Sequence, residues 1–182
     1  MSKPIYTELK PGFLEPGDIF VVKVDSWFGK AINFFQKIWA KDNESTYSHA
    51  GIILDPDGTT FEALETIKRQ NLFTDYAGKR VRIGRYVKMN QTKFFKGWAM
   101  IQHYEGKAYP VWRLVFHIIP PVAKFVRSIF GVCSEVVGRF LCGVGIVNVW
   151  SGLNPDDIAD MIKRWDDFDV VYEGTVPEVT QE

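Results

Sequence analysis

The stretch YSHAGIIL, Tyr47 to Leu54, followed by Asp55-Pro56-Asp57-Gly58 and then TTFEAL, leaves little choice of local fold. Proline presets the first turn dihedral and glycine accepts the positive one, so the four residues between the two apolar runs predict a tight turn and hence a hairpin. If the loop is those four residues, Leu54 pairs with Thr59, His49 lies across from Leu64 and Glu62 lies across from Gly51. Side chains alternate with a period of two, so His49 and Glu62 then share a face as diagonal neighbours, roughly 7–8 Å apart at the backbone. A carboxylate there can orient the imidazole. A three-residue loop without a bulge would flip the parity and put Glu65 opposite His49, so the choice between the two glutamates depends on register.

Pro16-Gly17-Asp18 announces a first strand, Ile19 to Val24, whose nearly continuous apolar run suits a strand covered on both faces. Ser26 can cap a helix from about Trp27 to Ala40, with Phe28, Ile32, Phe35 and Trp39 on one stripe, and Lys41 to Thr46 reads as a loop. After the hairpin, Lys68 to Gly78 loses periodicity and reads as a loop with one short helical turn. Arg80 to Val87 reads as a strand with Arg82 and Arg85 solvated. Asn90-Gln91-Thr92 precedes a helix from about Lys93 to Tyr104, carrying Phe94, Trp98 and Ile101 on one face, with Gly106 placed to stop it.

Val111 to Phe130 is an apolar segment divided by Pro120-Pro121, beyond which Val122, Phe125, Val126, Ile129 and Phe130 share a helical face. Such a stripe is more often core, and a peripheral membrane contact or a cover over the substrate is the alternative. Cys133 opens a further helix, on the same stripe as Val136, Val137, Phe140 and Leu141. Cys142 points to the opposite side, so the two cysteines cannot bridge within it. Asn154-Pro155-Asp156-Asp157 starts a helix that runs to about Trp165, Asp169 to Glu173 reads as a closing strand, and the tail from Pro177 is expected to fray.

At 182 residues, 46% of them hydrophobic, the chain can bury a substantial core as one domain. The 22 basic residues are balanced by 22 acidic ones, which argues against a nucleic-acid surface. The N-terminus has no apolar run of signal-peptide length, and no stretch uninterrupted by charge or proline approaches the length needed to cross a bilayer, so a cytoplasmic chain is expected. Two cysteines outside any CxxC pair, and histidines without metal-ligand spacing, offer neither a disulfide framework nor a metal cluster.

A free thiol attacks a carbonyl only as the thiolate, which a helix N-terminus and a neighbouring imidazole both favour. Cys133 has the first by sequence, and His49, with its carboxylate, is the candidate for the second. On spacing alone, Cys133 reads better as a small buried apolar residue, His49 as a core or loop histidine and Glu62 as part of a solvated face. Tyr47 reads as packing, His103 as a surface residue suited to a helix C-terminus, and His117 as a packed residue of the apolar run.

The order of short motifs shifts that balance. GDIF at Gly17, YSHAGIIL at Tyr47, FEAL at Phe61, YEGKAYP at Tyr104, VCSEVV at Val132 and NPDDI at Asn154 follow one another across about residues 17–160. In this the chain resembles the circularly permuted branch of the NlpC-type papain-fold cysteine hydrolases, the YaeF/YiiX-like group. The resemblance implies an α+β fold in which an antiparallel sheet or partial barrel packs against helices, with the histidine strand preceding the helix that carries the cysteine at its N-terminus. It implies Cys133 as nucleophile, His49 as general base and Glu62 as the residue orienting it, with no cofactor or metal. The long apolar segment Trp112 to Phe130 departs from the pattern. The expected activity is cleavage of an amide or isopeptide bond, such as a cell-wall peptide, through a thioester. Viral origin would give such a chain a route to peptidoglycan without a signal peptide. Permuted relatives resembling lecithin retinol acyltransferase make an acyl-lipid substrate the alternative, and a non-catalytic binding module on the same fold is a third.

Overall fold

The computed structural model describes residues 4–23, 47–64, 66–107, 132–150 and 153–178. The expected helix over 27–40, the apolar segment 112–130, Glu65 and His117 lie outside the described residues. Those described form an α+β arrangement built on a six-stranded antiparallel sheet in the order β4-β3-β2-β1-β5-β6. The strands are β1 (Ile19–Val22), β2 (His49–Ile53), β3 (Thr59–Ala63), β4 (Ile67–Asn71), β5 (Arg80–Tyr86) and β6 (Phe168–Thr175). Four helices accompany them: α1 (Leu72–Asp75), α2 (Gln91–Ile101, continued by a 3-10 turn over Gln102–Tyr104), α3 (Val132–Val144) and α4 (Pro155–Arg164). Among the described residues no helix is long and apolar enough to cross a membrane.

Turn chemistry sets the register of the central hairpin. Gly58 adopts φ +86°, its N–H donates to the Asp55 carbonyl at 3.2 Å, and the Leu54 N–H donates to the Thr59 carbonyl at 2.7 Å. The ladder then pairs Gly51 with Glu62, as the four-residue loop requires. Gly51 also makes room beside the site, since a Cβ built there would fall 2.5 Å from the Phe20 ring and 3.2 Å from Cβ of Glu62.

β1 is central, and all four of its residues are fully buried. Ile19 and Val21 face a core shared with Val136, Val137, Phe140 and Leu141 of α3 and Ile158 and Ile162 of α4. Phe20 and Val22 face a second core closed by Leu9 and Leu14 of the N-terminal segment and by Leu72, Phe73 and Tyr76 at α1. Both faces of the sheet are thus covered, and this is what makes an uninterrupted apolar run the right sequence for β1. Helix α2 begins at Gln91, two residues before the expected start, with Asn90 Oδ1 accepting from the Lys93 N–H at 2.9 Å, and Gly106 follows the 3-10 turn at φ +76°. Helix α4 is closed at its start by a reciprocal pair of 2.9 Å bonds between Asn154 and Asp157.

Two expectations need correction. The first half of the segment read as a loop from Lys68 to Gly78 is a strand, because β4 lies at the edge of the sheet and its Lys68 and Arg69 are exposed. Edge strands tolerate charge, so the alternation that marks a half-buried strand is missing. The short helical turn of that segment is α1. Arg82 and Arg85, in turn, are not solvated. Arg82 is 7% exposed; it makes two bonds to the Glu173 carboxylate at 2.8 and 3.1 Å and donates to the Ala159 carbonyl at 3.1 Å. Arg85 grips both oxygens of buried Asp18 at 2.8 Å and reaches Glu15 and the Phe13 carbonyl. On a strand covered on both sides, a charge stays because it is paired, not because it is wet.

Candidate active site

His49 is the first residue of β2, opposite Val22 on β1. Pairing of β2 with β3 begins only at Gly51, so His49 and Ala50 extend past that ladder. Helix α3 packs across β2 and β3 and presents Cys133, in its first turn, to this free end. The Cys133 sulfur hydrogen-bonds to the His49 ring and receives the backbone N–H groups of Ala50 and Ser134. On the far side of the ring, Nε2 of His49 bonds to Oε2 of Glu62, which leaves Nδ1 as the nitrogen available to the thiol. The three residues expected to converge are therefore in one chain of contacts, sulfur to ring to carboxylate.

Glu62 has further partners that sequence reasoning missed. The Tyr76 hydroxyl donates to Oε2, the oxygen that also holds the ring, and the Thr60 hydroxyl donates to Oε1. Thr60 stands two residues before Glu62 on the same strand, a neighbour that the period of two could have revealed. Tyr76, just beyond α1, carries no such signal, because only the tertiary fold brings it over the sheet. Its ring lies 6.1 Å from that of His49 and 5.7 Å from that of Phe20.

The site is nearly dry: Cys133 is 3% exposed, His49 4% and Glu62 0%. Burial works against the charge on His49, yet the Cys133 sulfur and then Glu62 overcome it, and the imidazole is pushed up to about 10. Burial would likewise raise the Cys133 thiol, but the His49 charge and the N–H groups of Ala50 and Ser134 hold it below its ordinary value. Glu62 resists the same desolvation through His49 first, then Thr60 and Tyr76, and stays below the usual carboxylate range. Tyr76, raised by burial and by the Glu62 charge, remains a neutral donor. Each of the three groups is held toward its charged form by its neighbour, so that Cys133, His49 and Glu62 titrate as a coupled set.

The remaining candidates fall elsewhere. Tyr47 is buried on the helix side of the sheet, with the Arg82 guanidinium over its ring at 5.2 Å, which fits packing. His103 is exposed and lies against Tyr104 with ring centroids 3.9 Å apart. Cys142 is partly exposed on α3. Among the described residues no group of three or more His, Cys, Asp or Glu side chains is placed to hold a metal ion.

No family model matches the chain, and no curated protein matches it. Among solved structures its fold is similar to that of the metalloprotein YiiX from Escherichia coli O157:H7, DUF1105. The two share 23% identity over 90% of this chain and 88% of that one, with a TM-score of 0.51. At that identity the likeness is one of fold.

Proposed function

We propose that the chain is a cysteine-dependent hydrolase of the circularly permuted, papain-like NlpC type, cleaving an amide or isopeptide bond through a thioester on Cys133. The observation that carries this reading is the contact chain from the Cys133 sulfur through the His49 ring to Glu62, assembled from three elements. In the first step the thiolate adds to the carbonyl carbon and the π electrons move to oxygen. The tetrahedral oxyanion forms beside the backbone N–H groups that already face the sulfur, those of Ala50 and Ser134. Its collapse expels the amine, which takes its proton from the His49 imidazolium and leaves the thioester. In the second step neutral His49 takes a proton from water as the water adds to the thioester. The thiolate then departs, the acid is released and the ion pair is restored.

YiiX is a metalloprotein, but the donors at this site fall short of a metal's coordination set. Both oxygens of Glu62 are engaged, by His49 and Tyr76 on one side and Thr60 on the other. That leaves one sulfur and one ring nitrogen, short of the about three protein ligands that even a catalytic zinc takes. These residues do not fit a resident metal of that kind, and no step passes through one.

The test supplies peptidoglycan fragments and acyl-lipid vesicles separately and follows both released amines and the mass of the Cys133 peptide. New amines from the fragments with a transient acyl adduct on Cys133, both absent in Cys133→Ala and both insensitive to a chelator, are expected. An adduct formed from vesicles without amine release would move the assignment to an acyl-lipid hydrolase or acyltransferase. Neither adduct nor release from either substrate would leave a non-catalytic binding module.

A further inference from the structure

We propose that Tyr76 is a positioning residue for the thiol site: its hydroxyl, together with that of Thr60, holds the Glu62 carboxylate in line with the His49 ring and so keeps the ring proton in place for Cys133. The inference rests on the hydrolase reading and adds to it a residue that does not touch the reacting atoms.

Three donors converge on the two oxygens of a carboxylate that is 0% exposed. The ring and the Tyr76 hydroxyl share Oε2, and Thr60 holds Oε1 from the same strand. A carboxylate held only by the ring could rotate about its last torsion, which is broad and soft in glutamate. It would also face burial with a single partner. Donors on both oxygens remove that freedom and favour the ionised form. The aromatic body of Tyr76, stacked near His49 and Phe20, keeps water from substituting for them.

Among the described residues few other charges compete at this point. Glu62 is faced by His49 from β2, by Tyr76 from the end of α1 and, through the ring, by Cys133 from α3. Its cross-strand partner Lys68 on β4 is exposed, and Asp75 acts on Tyr76 rather than on Glu62. Gln70 reaches the Tyr76 hydroxyl at 3.5 Å. Removing the tyrosine hydroxyl therefore acts on the triad through Glu62. A carboxylate that takes a proton at higher pH, or turns out of line, makes the ring a weaker base, and the thiolate then forms at higher pH.

The experiment is the pH dependence of Cys133 alkylation by a small electrophile in the full chain, wild type against Tyr76→Phe. The phenylalanine keeps the ring and removes only the hydroxyl. The acid limb of reactivity is expected to move up by about one pH unit, and Thr60→Val is expected to move it in the same direction. Leu72→Ala serves as the control, because it loosens the same apolar layer without touching Glu62; its limb should stay at the wild-type position. An unmoved limb in both Tyr76→Phe and Thr60→Val, a limb moved to lower pH, or an equal shift in Leu72→Ala would overturn the proposal. A wild-type limb at the position of an ordinary thiol would instead overturn the hydrolase reading beneath it.

Discussion

Replacing His49 with alanine is expected to cut the reactivity of Cys133 in mildly acid solution by about two orders of magnitude. In the wild type the imidazolium beside the sulfur outweighs burial, so the thiolate persists below the pH at which a free cysteine ionises. Without the ring, burial is opposed only by the Ala50 and Ser134 N–H groups, and burial raises a thiol. Each unit of that rise removes a factor of about ten from the thiolate fraction. Part of the loss is returned because a more basic thiolate is intrinsically more nucleophilic, with a sensitivity of about 0.4–0.5. The two effects together predict a fall on the order of 10²-fold in alkylation rate in mild acid, with recovery in alkali. On the alkaline side the wild-type pair dissolves as His49 loses its proton near pH 10. Turnover should therefore rise as pH passes the lowered Cys133 value and decline toward about 10. Stopped-flow alkylation of both proteins across pH, with circular dichroism to confirm folding, decides it.

Arg85→Met is expected to cause the largest loss of stability among single changes away from the site, about 3–5 kcal/mol. Asp18 is 1% exposed, and its oxygens are held by two Arg85 bonds at 2.8 Å and by the Glu15 N–H at 2.9 Å. The methionine fills much of the volume but strands the carboxylate. Even with Arg85 present, burial keeps the Asp18 carboxyl above its usual range. Removing the guanidinium raises it further, so the folded variant binds that proton more tightly than the unfolded chain does. Its stability therefore falls as pH rises from the ordinary carboxyl value through the raised one, and the deficit against wild type is smallest in acid and full at neutral pH. Denaturant unfolding at both pH values checks the sign. Adding Asp18→Asn should recover part of the neutral-pH loss, because an amide is cheaper to leave unpaired than an anion. Asp18 immediately precedes β1, whose Phe20 and Val22 line the His49 face of the sheet, so the same variant is expected to slow Cys133 reactivity as unfolding sets in.

The parts of this arrangement legible in the sequence are those encoded locally. Asp55-Pro56-Asp57-Gly58 dictates its own turn, and from it follow the Gly51 to Glu62 register and the shared face of His49 and Glu62. The stripe through Cys133, Val136, Val137, Phe140 and Leu141 is repeated every helical turn and is buried along its length. The Asn154 to Asp157 box needs only four residues. Illegible were features that depend on which strands become neighbours. β4 hides because an edge position relieves Lys68 and Arg69 of any need to alternate. Arg82 and Arg85 resemble solvated residues until β6 and Asp18 supply their carboxylates. Tyr76 is one more aromatic in an aperiodic stretch until α1 folds back over Glu62. The convergence of Cys133 on His49 could be expected only from the order of motifs, since nothing local to either residue encodes the other.

The central claim is that Cys133 and His49 share an ion pair at neutral pH. Ultraviolet difference absorbance of the thiolate, taken as wild type minus Cys133→Ser across a pH titration, reads that state without any substrate. A thiolate signal that appears below the pH at which an ordinary thiol ionises, and is shifted to alkaline pH in His49→Ala, is the predicted result. A signal that first appears where an ordinary buried thiol ionises, and that is the same with or without His49, would contradict the account.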